Sequence, residues 1–79
     1  MKVHVRYFAV LRDAAGVAGE DIEGGFSDAN GLWDHLCNRH AFPLGLDSLR
    51  VSVNAKYVPT GTALHDGDEV AFLPPVSGG

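Results

Sequence analysis

Only one stretch of the chain carries a helical repeat, and every other regular stretch alternates. Ala29, Leu32, Trp33, Leu36 and Cys37 recur at helical spacing and form a single apolar stripe. Asp34, His35, Asn38 and Arg39 fall on the other faces, and Ser27 or Asp28 is placed to cap the first turn. Gly31 inside this helix costs about 1 kcal/mol relative to alanine, and Pro43 stops any continuation past Ala41. A single helix can cover one face of one sheet. The chain is therefore confined to two layers, with the far face of the sheet left bare.

The alternating stretches supply that sheet. In KVHVRY, Val3, Val5 and Tyr7 alternate with Lys2, His4 and Arg6, the period of a half-buried strand. Phe8 breaks the rhythm by putting an aromatic ring on the polar side. AVLRDAAG then reads as a helical turn or loop closed by Gly16. A weak second strand is expected around Ile22. LRVSVN alternates again, Asn54-Ala55-Lys56 turns the chain into Tyr57-Val58, and Pro59 limits that strand. After the turn His65-Asp66-Gly67-Asp68, EVAFL is the last strand, with Val70 and Phe72 facing one way and Ala71 and Leu73 the other. The expectation is an α+β domain, a sheet of about five strands packed on one main helix, with Phe8 and Leu73 on the uncovered side.

A chain of 79 residues has room for one domain. At 46% hydrophobic and 20% charged residues it suits a small globular core, but one that buries only about 60% of its unfolded surface. Ten acids against six bases give a net charge of −4. Without a basic stripe to neutralise phosphates nucleic acid is not expected as a partner, and a basic protein partner fits better. Cys37 is the only cysteine, so no intrachain disulfide is possible and a reducing, cytoplasmic setting is expected. No long apolar run suggests a membrane span.

Reactive groups are scarce. His4, His35, His40 and His65 show no metal-ligand spacing with one another or with Cys37. Cys37 on the apolar stripe reads as a small core hydrophobe, and Trp33 as core area. Asp66, Asp68 and Glu69 are more simply a solvated turn than catalytic carboxylates. The glycines at 16, 19, 24 and 25 match no phosphate-binding spacing.

What remains is the ending, FLPPVSGG. By elimination the distinctive group is the α-carboxylate of Gly79. A carboxylate is a poor electrophile until another enzyme activates it, and that enzyme's site must be entered by a slim extended strand. Gly78 and Gly79 have no Cβ, so the walls of a site can close on the backbone. Pro74 and Pro75 favour an extended path and reduce the entropy lost when the tail is gripped. From Pro74 to Gly79 the chain reaches about 20 Å at most. Residues 1–73 are thus expected to form the domain and residues 74–79 a flexible tail.

YFAVLRDAAG, VNAKYV and LHDGDEVAFLPPVSGG together resemble the MoaD-type sulfur carriers, the small subunits of molybdopterin synthase, across nearly the whole chain. The resemblance implies a ubiquitin-like β-grasp fold and a subunit that is not an enzyme on its own. It implies that an adenylyltransferase uses ATP and magnesium to form an acyl adenylate on Gly79, and that a persulfide donor converts this to a thiocarboxylate. The tail would then enter the large subunit of a heterotetrameric synthase, whose pocket does the chemistry, and give its sulfur to cyclic pyranopterin monophosphate. No cofactor is implied on this chain itself. Gly78 and Gly79 match the reactive end. Phe8 and Leu73 match apolar docking positions, and Pro74, Pro75, Val76 and Ser77 the gripped segment. The Gly24-Gly25 pair departs from the family by weakening the second strand, and Gly31 by standing where alanine fits better. A carrier for the thiamine thiazole and a ubiquitin-like protein modifier share this fold and tail.

Overall fold

The computed structural model describes residues 1–75. Five strands form one mixed sheet: β1 (Lys2–Tyr7), β2 (Gly19–Glu23), β3 (Arg50–Val53), β4 (Lys56–Val58) and β5 (Glu69–Leu73), in the order β2-β1-β5-β3-β4. Helix α1 (Val10–Ala15) follows β1, helix α2 (Ala29–Cys37) follows β2, and a 3-10 turn (Leu46–Ser48) precedes β3. This is the expected α+β sheet with one main helix.

Register follows from the alternation. Along β1 exposed and buried residues alternate without a break, so Val3, Val5 and Tyr7 all face inward. β1 pairs antiparallel with β2 (Val3 opposite Ile22) and parallel with β5 (Val5 opposite Val70). β5 pairs antiparallel with β3, which pairs in the same sense with β4. The inner face packs on Ala29, Leu32, Trp33 and Leu36 of α2, each at most 4% exposed. Trp33 stacks on Phe42 and leans on Phe72, both at 4.9 Å between ring centroids. Full burial of such a side chain stabilises the fold by roughly 1.5–3 kcal/mol, so this aromatic group is a principal joint between helix and sheet.

Both ends of α2 have local causes. Asp28 is the N-cap, its Oδ1 accepting from the Gly31 amide at 2.8 Å. The helix stops at Cys37, four residues short of Ala41. Beyond it Arg39 and His40 turn back to Glu20 instead of extending the helix.

Three expectations need correction. Cys37 is exposed, not part of the core. At about 100° per residue it lies roughly 80° round the helix from Ala29, on the rim of the stripe, and the helix ends there. Gly31 does not stand in open space as the preference for alanine assumed, because an added Cβ would lie 3.3 Å from the Phe26 Cβ, which must give by a few tenths of an ångström. The Gly24-Gly25 pair lies beyond the end of β2 and interrupts none of it, since all five residues from Gly19 to Glu23 are paired with β1.

Candidate functional site

Parallel pairing of β1 with β5 decides where the site lies. Tyr7 is opposite Phe72, so the two strands finish side by side, and Phe8 and Leu73 emerge together on the face away from α2. Both are half-buried and line one shallow hollow of about 220 Å³. The structure thus joins two residues that lie 65 positions apart in the sequence, as their polarity pattern predicted.

A third apolar member was not singled out from the sequence. Tyr57 is 66% exposed, the most exposed large hydrophobic side chain among the described residues. It faces outward opposite Ser52 and lines the same hollow as Phe8 and Leu73. The signal was available, because Tyr57 on a short strand flanked by the Asn54-Ala55 turn and Pro59 is an edge residue.

A second hollow, of about 660 Å³, lies where the chain leaves the sheet, between Ser48, Leu49 and Arg50 on one side and Pro74 and Pro75 on the other. Pro74 is half-buried and Pro75 exposed. The other predicted site residues, Val76, Ser77, Gly78 and Gly79, lie outside the described residues.

The polar groups elsewhere are used internally. The Tyr7 hydroxyl donates to Glu20 Oε2 at 2.6 Å, and His40 Nε2 lies 2.7 Å from the same oxygen. Burial opposes the charge on Glu20, but the hydrogen bonds to Tyr7 and His40 outweigh it and hold the carboxyl below its usual range. Burial above all, then the neighbouring Glu20, pushes the Tyr7 phenol far up. His4 is bonded to Asp21 at 2.8 Å. Asp68 accepts from the Asn54 side chain and the His65 amide, which lowers its pKa, while Asp66 accepts from the Lys2 amide. Partial burial and then the charge of Asp34 push the Cys37 thiol up, which disfavours the nucleophilic thiolate. Among the described residues no group of three His, Cys, Asp or Glu side chains is placed to hold a metal ion, and no helix is long and apolar enough to cross a membrane. The geometry supports docking, with an apolar seat beside the root of a C-terminal segment.

The family model described as "ThiS family" matches residues 5–79. The chain belongs to the ThiS family. Among curated members it is 35% identical over 80 residues to the molybdopterin synthase sulfur carrier subunit of Haemophilus influenzae, covering 98% of this chain and 99% of that one. The ThiS-family fold extends to solved structures. SAMP1 from Haloferax volcanii superposes with a TM-score of 0.82 at 27% identity, all of both chains being covered. A chain from the protein–protein complex of subunits 1 and 2 of molybdopterin-converting factor from Helicobacter pylori gives 0.70 at 28% identity, again over the full length of both. The sheet order and the single main helix are those of the ubiquitin-like β-grasp, as the resemblance implied.

Proposed function

We propose that this ThiS-family chain is the sulfur carrier subunit of a molybdopterin synthase. The observation that carries the proposal is the end-to-end likeness to the Haemophilus influenzae sulfur carrier, which leaves almost no residue of either chain unmatched. The geometry agrees with a part that is docked and then read at its terminus. Phe8, Leu73 and Tyr57 form an apolar seat, and the chain leaves the central strand β5 beside it.

In this reading residues 1–73 are the docking domain and residues 74–79 the arm. An adenylyltransferase and sulfurtransferase partner, using ATP and magnesium, activates the Gly79 carboxylate as an acyl adenylate. The outer sulfur of a persulfide donor attacks the acyl adenylate and expels AMP. A second thiol then attacks the donor's sulfur in the resulting acyl disulfide, forming a disulfide and releasing the thiocarboxylate. Bound to the large subunit in a heterotetramer, the thiocarboxylate sulfur bonds to cyclic pyranopterin monophosphate, and water then cleaves the acyl C–S bond, leaving the sulfur on the precursor and a carboxylate on Gly79. Phe8 and Leu73 dock. Pro74, Pro75, Val76 and Ser77 are gripped, and Gly78 and Gly79 let the walls close on the backbone. The chain supplies no catalytic pocket of its own and works in the cytoplasm.

The test separates docking from chemistry. Deleting Gly79 draws the terminal carboxylate back by about 3.3 Å, one extended residue. Misplacement by about 1 Å can cost on the order of a hundredfold in rate. The shortened carrier is expected to bind the large subunit and yield no molybdopterin from precursor. Full product from it would refute the proposal.

A second reading is a ubiquitin-like modifier that forms amide bonds to lysines, favoured by the likeness to SAMP1. Intact mass spectrometry of protein from sulfur-replete cells discriminates the two. A terminal oxygen exchanged for sulfur is expected of the carrier, and conjugates to other proteins of the modifier.

A further inference from the structure

The outer face of the sheet divides along β1. Toward the β2 edge it carries Glu23 and Asp21, opposite Lys2 and His4. Toward β4 its character changes. Arg6, Ala71, Ser52 and Tyr57 form one row across β1, β5, β3 and β4, and Leu73 is opposite Arg50 in the next. The Arg6 guanidinium lies over the Phe8 ring, 5.4 Å from its centroid, and that of Arg50 over the Tyr57 ring at 5.6 Å. Half-buried Phe8 and exposed Tyr57 therefore each carry a cation, and the Ala71–Leu73 strip runs between them.

A guanidinium held over a ring still carries N–H donors in a planar fork that carboxylates meet bidentately. Contact with the ring also restricts the long arginine side chain beforehand, so less freedom is lost when a partner engages it. Two acidic groups border this half of the face. Glu69 pairs with Arg6 at a loose 3.6 Å, both side chains half-exposed, and such a pair is weak in water. Asp47 lines the neighbouring hollow with Arg50, but among the described residues no carboxylate is within ion-pair distance of Arg50.

We infer that this half of the face receives a protein surface with an apolar projection seated over Ala71 and Leu73 and carboxylates opposite Arg6 and Arg50. This deepens the docking role proposed above and rests on it. The chain's net charge of −4 favours a basic partner at long range. At contact the charges that matter are the local ones, and a lysine or arginine set against Arg6 and Arg50 would repel. A nucleic acid does not fit, because two cations around an apolar seat make no phosphate-tracking stripe.

The test is calorimetric titration of the full chain into the molybdopterin synthase large subunit from the same source, from low salt to about 0.5 M, where the screening length falls to roughly 4 Å. The wild-type series needs no substitution, and affinity is expected to fall as salt rises. The double variant Arg6→Gln/Arg50→Gln is expected to bind about tenfold more weakly at low salt and to lose most of the salt dependence. Arg50→Lys keeps the charge and is expected to keep the salt dependence. Phe8→Asp serves as the control for the seat itself and is expected to lose binding at every salt concentration. If the double variant binds like wild type with the same salt dependence while Phe8→Asp fails, the carboxylate inference is overturned and the seat stands. Wild-type binding that tightens with salt, or arginine variants that bind more strongly, would point to a basic partner surface and overturn it equally. If Phe8→Asp also binds normally, the seat falls and the inference with it.

Discussion

The phenol of Tyr7, 2% exposed at the end of a core strand, donates a 2.6 Å hydrogen bond to the carboxylate of Glu20. A core side chain and an edge-strand acid are thereby locked together, with His40 closing the cluster from beyond the helix. Removing the donor leaves Glu20 with His40 and Arg39. Tyr7→Phe is expected to cost about 1 kcal/mol in urea unfolding, the net worth of one hydrogen bond. A loss above about 3 kcal/mol would mean that the cluster collapses as a unit.

The same cluster gives the protein an acid limit. The folded carboxyl of Glu20 titrates below its ordinary value of 4.5, so its contribution is complete above that value and is lost as pH falls through the folded value. Glu20→Gln should be less stable than wild type at neutral pH and should lose less stability on acidification below pH 4.5. Parallel stability profiles for the two proteins would show that the stabilisation of the charge is not realised.

Three non-glycine residues among those described have positive φ: Ala9 before α1, at 52°, and the neighbours Asn54 and Ala55 at the β3–β4 turn, at 51° and 71°. Asn54 is anchored there by its side chain, which donates to Asp68 and accepts from the Glu69 amide. Ala55 has no such compensation, and glycine adopts this conformation without steric cost. Ala55→Gly is expected to raise the melting temperature, by the equivalent of roughly 0.5–1 kcal/mol. A lower melting temperature would place the larger effect in the unfolded chain.

At Gly31 two rules of similar size oppose each other. Helix propensity favours alanine by about 1 kcal/mol. The new Cβ would lie 3.3 Å from the Phe26 Cβ, so Phe26 must give by a few tenths of an ångström, while the capping Asp28 oxygen at 3.4 Å stays in ordinary contact. Forcing a packed side chain aside costs roughly 1–3 kcal/mol. Gly31→Ala should therefore fail to stabilise the fold. A gain in denaturant midpoint would show that Phe26 moves aside freely.

Cys37, exposed at the helix end, should tolerate replacement. Cys37→Ala is expected to change stability by less than about 0.5 kcal/mol, as at other surface sites. Sulfur transfer should be unaffected. Loss of transfer in the folded variant would move part of the chemistry to this thiol.

Much of this was legible in the chain because period and polarity agree. The alternation through Val3, Val5 and Tyr7 sets the inner face, and Phe8 and Leu73 break it on the outer side, so their meeting follows once β1 and β5 pair. Cys37 was misjudged because a stripe drawn by spacing alone has no edge, and burial fades toward its rim. The crowding at Gly31 was invisible because it comes from Phe26, which folds back over the first turn of α2. The Glu20 cluster brings together Tyr7 and His40, 33 positions apart in sequence, and no local pattern announces such a contact.

The position of β5 also determines how the domain bears load. The strand lies between β1 and β3 and ends at Leu73, where the arm begins. A pull on the arm runs along the strand axis, so the hydrogen bonds to both neighbours are strained together in shear. A hairpin pulled from its open end would instead release them one by one. A partner that grips the chain beyond β5 would therefore load both neighbouring ladders at once, while the domain holds its shape. Tethering the protein at residue 2 and residue 75 in an optical trap should give abrupt, high-force rupture. A gradual peel would show that the load escapes through another strand. The carrier is in this sense a handle fixed to the middle of the sheet, built to be tugged repeatedly without unravelling.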